Sequence, residues 1–180
     1  MKGSHGISDI FVSYAADTAR PLSGDLAELT RIIREIRIAL LTTVGREGQF
    51  HTRPVQTLKV EDDATLWFFT DWTSPKVTEL HHDVRVSLGY ADPAKNVYVA
   101  LSGEGSLVRD PKKAKELWSI EQRAYYPKGP DDERLDVLRV ATLHAEYWIA
   151  PGRASYLIAA VRAGMTGTPA GVIGEDHKVK

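Results

Sequence analysis

Residues 50–60 alternate in strand fashion. His51, Arg53, Val55, Thr57 and Lys59 share one side, and Thr52, Pro54, Gln56, Leu58 and Val60 the other. The stretch before it, residues 38–44, is almost wholly apolar and reads as a buried strand, with Gly45-Arg46-Glu47-Gly48 as the hairpin turn between them. Further strands are predicted over residues 65–70, 84–91 and 96–108, and a long alternating one over 140–150. Helical spacing appears in few places. Leu26, Leu29, Ile32, Ile33 and Ile36 mark a covering helix, with Glu28, Arg31, Arg34 and Glu35 on its outer side. Ser74-Pro75 opens a short helix over 75–82, Asp110-Pro111 opens another with Ala114, Leu117 and Trp118 inward, and a third is expected over 154–163.

Strands outnumber helices and mostly follow one another through tight turns. That order predicts a mainly β chain folded as a closed or nearly closed antiparallel barrel with helices outside it, rather than alternating βαβ units. Residues 1–22 carry no pattern and read as an N-terminal arm, leaving 23–180 as one domain. Residues 125–133 read as a polar, proline-bearing loop, and the end of the chain as a Gly-rich loop followed by a charged tail. A chain of 180 residues can bury about 70% of its unfolded surface without disulfides or metals.

Composition narrows the function. Lys plus Arg number 23 against 24 Asp plus Glu, a formal charge of −1, with no basic stripe of the kind that tracks nucleic acid. There is no cysteine, so no thiolate ligand or nucleophile. No apolar run reaches the length of a membrane span, and the first residues lack the apolar core of a signal peptide. A cytoplasmic location is expected. No G-x-S-x-G is present, and Gly103-Glu104-Gly105 lies inside a strand, where it cannot open a dinucleotide-binding helix. The histidines form no metal-ligand pair; His144 and Glu146 share a strand face, but a hydrogen-bonded pair is the simpler reading and no metal is expected.

One stretch carries chemistry. In residues 66–80 an aromatic strand feeds a helix that starts with Ser74, Pro75 and Lys76. A helix N-terminus offers backbone N–H groups and the positive end of its dipole to an anion, and Lys76 adds a full charge. The plain alternative is a capped helix with a solvated lysine. Arg53, on the strand before, favours the anion site, because neighbouring strands usually pair and a guanidinium fork matches phosphate oxygens. Val55, Phe69, Trp72 and Trp148 are candidates for flat apolar walls, and Pro54 marks a sheet edge, a bulge or backbone turned to a ligand. A phosphorylated aromatic cofactor suits both halves.

These residues carry a resemblance. Arg53-Pro54-Val55, then Phe69-Thr70 with Ser74 and Lys76, resembles the FMN-binding split barrels of the pyridoxamine 5′-phosphate oxidase type. Asn96-Val97-Tyr98-Val99 with Gly103, and later Glu146-Tyr147-Trp148, follow in the family's order. The stretch 125–135 (YYPKGPDDERL) and Ala145-Glu146-Tyr147-Trp148 look closest to the general stress protein branch. The resemblance implies a six-stranded split barrel, usually a homodimer, with FMN near the subunit interface. It implies that Arg53, Ser74 and Lys76 hold the FMN phosphate. Val55, Gln56 and Thr70 would line the isoalloxazine, partly through backbone groups, and Asn96 and Trp148 would close the site across the dimer.

Departures matter too. Where the oxidase proper has R-x-H-D-R, this chain has Arg153-Ala154-Ser155-Tyr156-Leu157, and its usual glutamine is Asn96. Vitamin-B6 oxidase activity is therefore not expected, and no residue is assigned a catalytic role. The expectation is an FMN-dependent oxidoreductase of unassigned substrate. The alternatives are a flavin binder without turnover, and a deazaflavin- or haem-binding relative on the same barrel.

Overall fold

The computed structural model describes residues 26–149 and 175–179. The arm at 1–22, the helix at 154–163, the Gly-rich loop after it and the stretch at Arg153 lie outside them. Helix α1 (Leu26–Ile36) buries Leu29, Ile32 and Ile33 against the barrel, while Arg31 links Glu28 and Glu35 on its outer side. Then come strands β1 (Ile38–Val44), β2 (Phe50–Gln56), β3 (Lys59–Val60) and β4 (Leu66–Asp71), and helix α2 (Pro75–His82). Strands β5 (Arg85–Asp92) and β6 (Val97–Val108), helix α3 (Pro111–Leu117), and strands β7 (Leu135–Ile149) and β8 (Glu175–Val179) complete the described elements.

All pairings among these strands are antiparallel, in the order β2-β1-β5-β6-β7-β4-β3, with β8 on the far part of β7. The two ends of that order, β2 and β3, are consecutive in the chain. The residues between them, Thr57 and Leu58, are therefore the corner at which the sheet curls back on itself. Thr57 donates its N–H to Arg37 on the β1 side, at 2.7 Å, and Leu58 donates to Trp67 on the β4 side, at 2.8 Å. The single strand expected over 50–60 is thus two strands serving opposite edges. Pro54 sits on β2, whose only partner among the described strands is β1, so the missing N–H costs no ladder bond.

The six long strands match the expected barrel; β3 has two residues and β8 lies in the stretch expected to be a charged tail. Val179 of β8 is 1% exposed and joins the core. β7 begins at Leu135 rather than at 140. There Val137 and Leu138 point to opposite faces and are both buried, one in a satellite cluster with Trp67, Leu117 and Tyr126, the other in the main core. A strand covered on both faces loses the alternation that reveals strands. Trp118 lies just beyond α3, and the loop over 125–133 carries a short 3₁₀ turn, Gly129–Asp131, after another at Ile120–Ala124.

Two glycines of β6 permit close approach, one to α2 and one to β7. A Cβ on Gly105 would lie 2.7 Å from Leu80 of that helix, so the missing side chain lets α2 press onto β6. A Cβ on Gly103 would lie 2.1 Å from the carbonyl oxygen of Ala141, at the bulge where the β6–β7 register shifts. The G-E-G triplet is structural.

Candidate functional site

Where the sheet curls without closing, the ends of β2 and β4 face each other across a cleft of about 560 Å³. Pro54, Val55 and Gln56 form one wall, Phe69 and Thr70 the other, and Lys76 stands at the head of α2. The expected residues Arg53 and Ser74 do not line the cleft itself; Ser74 touches Lys76 and Thr70, which do, whereas Arg53 bonds Thr43 and Glu79 outside the lining.

The helix head departs from a plain cap. Ser74 occupies the N-cap position in extended backbone, yet its hydroxyl makes no capping bond. It accepts a hydrogen bond from Lys76 Nζ at 3.0 Å and lies 3.4 Å from the Thr70 hydroxyl. Burial pushes the Lys76 ammonium below the usual lysine range, the neighbouring Arg53 charge pushes it further, and Asp71 and Glu79 oppose that. The two cations are therefore close enough to repel. They do not meet through strand pairing, as the sequence suggested: β2 and β4 are not ladder neighbours. Arg53 reaches across β1 to the helix instead.

What it reaches is a carboxylate that went unread in the sequence. Arg53 Nη2 donates to Glu79 Oε2 at 2.9 Å, Arg53 Nη1 donates to the Thr43 hydroxyl, and that hydroxyl donates to the same Glu79 oxygen. His51 Nδ1 lies 2.5 Å from the other oxygen, Oε1. Glu79 is 8% exposed. Burial alone would raise its carboxyl, but bonds from Thr43, His51 and Arg53 outweigh it and hold the group below the usual carboxylate range. A signal did exist in the sequence. Glu79 follows Lys76 by three residues, which puts both on one helical face.

The other end of the cleft is aromatic and amide-lined. Phe69 packs on Trp118 and meets Tyr126 edge-on, with centroids 6.0 Å apart in each case. Burial pushes the Tyr126 phenol up to about 12. Gln122 and Glu121 bond Gln56 at 3.5 and 3.4 Å, and Arg134 holds the Tyr125 carbonyl at 3.3 Å. Tyr125, Tyr126, Gln122 and Arg134 all line the cleft; the stretch 125–135 that holds three of them marked the branch in the sequence, but none was assigned to the site. Trp72, expected as a wall, is 49% exposed and outside the lining.

Asn96 and Trp148 are not brought to the cleft within this chain. Asn96 sits at the β5–β6 turn with φ of 53°, and Trp148 lies on β7 opposite Tyr98. The face they flank is unusual for a barrel exterior. Leu40 is 55% exposed, with Pro54 opposite on one side and Gly89 on the other; Gly89 in turn faces Ala100. Ile38 and Tyr98 are exposed on the next row. Ile38 and Pro54 belong to both this face and the cleft. Among the described residues no group of three His, Asp or Glu could hold a metal ion, and no helix is long and apolar enough to cross a membrane.

The family model described as pyridoxamine 5′-phosphate oxidase like matches residues 24–170. Protein bli-3 of Neurospora crassa is 25% identical over 167 residues, covering 87% of this chain and 80% of the relative. A Clostridium acetobutylicum protein related to general stress protein 26 of B. subtilis superposes with a TM-score of 0.63 at 22% identity, covering 69% of this chain and 87% of its own. A general stress FMN/FAD binding protein from the phytopathogen Xanthomonas citri gives 0.61 at 25% identity, with 69% and 88% covered.

Proposed function

Because the chain belongs to the pyridoxamine 5′-phosphate oxidase-like family, we propose that its cleft binds FMN, with the phosphate at the head of α2 and the ring system between β2 and β4. Arg53, Ser74 and Lys76 take the phosphate. Pro54, Val55, Gln56, Phe69 and Thr70 line the ring. The observation that carries this reading is the Lys76–Ser74 contact of 3.0 Å at an N-cap whose hydroxyl is not spent on capping; Arg53 is bonded to Glu79 of the same helix. A hydroxyl, an ammonium and a helix N-terminus in one place favour an anion and disfavour an uncharged ligand.

The protein acts as a homodimer in this reading. The exposed face bearing Ile38, Leu40 and Tyr98 is apolar, centred on Gly89 and Ala100, and runs into the cleft, so a second copy covers it and brings its own Asn96 and Trp148 to the ring. Bound FMN supplies hydride and single-electron chemistry. The chain's own residues bind and orient it and exclude water, and the function is a flavin-dependent oxidoreductase of the general stress protein type.

The test is the ligand that leaves purified protein on denaturation. A yellow compound with the mass of FMN, bleached on the protein by NADH or NADPH and restored by air, is the expected result. A deazaflavin or haem mass would replace the cofactor assignment, and FMN that no nicotinamide donor bleaches would make the protein a binder without turnover.

A further inference from the structure

We infer that Glu79 and Thr43 are positioning residues for anion binding: together they lock the Arg53 guanidinium in the orientation that meets a phosphate at the head of α2. The inference rests on the phosphate site proposed above and adds the parts that make it rigid. Arg53, Thr43 and Glu79 form a closed ring of hydrogen bonds, with both Arg53 Nη1 and the Glu79 carboxylate meeting at the Thr43 hydroxyl. Each member comes from a different element: β2, β1 and α2. The ring therefore ties β2, an edge strand among the described residues, to the helix across the strand between them.

Burial makes the arrangement specific. Thr43 is fully buried and Glu79 nearly so, whereas the Arg53 side chain keeps 24% exposure. The arginine is thus held by buried partners while its side chain stays partly accessible. His51 occupies the second carboxylate oxygen, so neither oxygen of Glu79 is left to seek another partner. A long side chain normally loses rotamer freedom when a ligand arrives; one held beforehand has already lost it. Glu79 also carries a charge that opposes an anion. The proposal is that holding Arg53 outweighs that opposition.

The experiment compares FMN with riboflavin, which lacks the phosphate, by titration of wild-type protein and four variants. In Glu79→Leu the FMN dissociation constant is expected to rise about tenfold, the loss typical of a charge-assisted bond, with riboflavin binding unchanged. Glu79→Gln, whose amide oxygen can accept from Arg53 and Thr43, should return it to within about threefold of wild type. In an Arg53→Ala background Glu79→Leu should cost nothing more, because it acts only through the arginine. Thr43→Val, isosteric and gentle on folding, should weaken FMN by roughly three- to fivefold and riboflavin not at all; it decides the matter if Glu79→Leu does not fold. Unchanged or tighter FMN binding in Glu79→Leu would show an opposing charge and no positioning role. Equal losses for FMN and riboflavin, or additivity with Arg53→Ala, would show a general structural role. Wild-type protein that binds riboflavin as tightly as FMN would instead overturn the phosphate site itself.

Discussion

On α2 the Arg53 guanidinium, the Thr43 hydroxyl and the His51 ring meet a buried carboxylate, Glu79, while at the helix head Lys76 holds the Ser74 hydroxyl. The sheet face beside Trp148 is its opposite: Leu40, Ile38 and Tyr98 stand exposed around Gly89 and Ala100, and no described element covers them. The first region is held by contacts among the described residues; in the proposed dimer the second is covered by another copy of the chain. The difference is one of physical chemistry. Buried charge must be balanced where it lies, because desolvation penalises it at once, whereas apolar surface can wait for a partner. Cofactor phosphate and cofactor ring would then be held by different means: the first by local electrostatics, the second by assembly.

The strongest way to break this comparison is at the apolar face. Leu40→Glu puts two like charges into a symmetric contact, at a cost of several kcal/mol. Sedimentation should find wild-type dimers and mutant monomers of unchanged secondary structure, and the monomers should lose bound flavin on gel filtration. A wild-type monomer would end the argument for that face. Next come the cations: Lys76→Ala and Arg53→Ala should each weaken FMN binding by about 1.5–3 kcal/mol without altering the oligomer, as read from quenching of flavin fluorescence.

A third, milder effect is the pH profile. Lys76 has its proton affinity lowered in the fold, first by burial and then by Arg53. The ammonium is present below its folded value and is lost as pH rises through it, before the ordinary lysine value of about 10.4. FMN affinity should therefore fall on the alkaline side earlier than a free lysine would allow, relative to riboflavin, and Lys76→Arg should remove that fall. On the acid side the sign reverses. Glu79 is held below the usual carboxylate value, so the stability it contributes is complete above about pH 4.3 and lost as pH drops through its folded value. Smallest is Trp148→Ala, expected to loosen flavin several-fold in the dimer and to add nothing in the Leu40→Glu monomer.

Much of this could be read from the chain. Alternation exposed β2 and much of β7, and Ser74-Pro75 gave the start of α2 with Lys76 beside it. The barrel was anticipated but its corner was not, because residues 50–60 look like one strand and only three-dimensional curvature splits them at Thr57 between two sheet edges. Glu79 was hidden for another reason. A glutamate on a short surface helix reads as solvated, and only the arrival of Arg53 over β1 makes its burial affordable. The face around Leu40 was concealed by the apolar run 38–44, which read as a buried strand; only one side of β1 is buried, and Ile38 and Leu40 are 52% and 55% exposed.

The central claim, that the head of α2 grips a phosphate, is tested most directly by measuring FMN and riboflavin affinities on wild-type protein and on Lys76→Ala. Wild-type protein should bind FMN at least about tenfold more tightly than riboflavin, a preference that collapses in the mutant while riboflavin affinity stays put. Equal affinities in wild type, or a preference that survives the loss of Lys76, would contradict it.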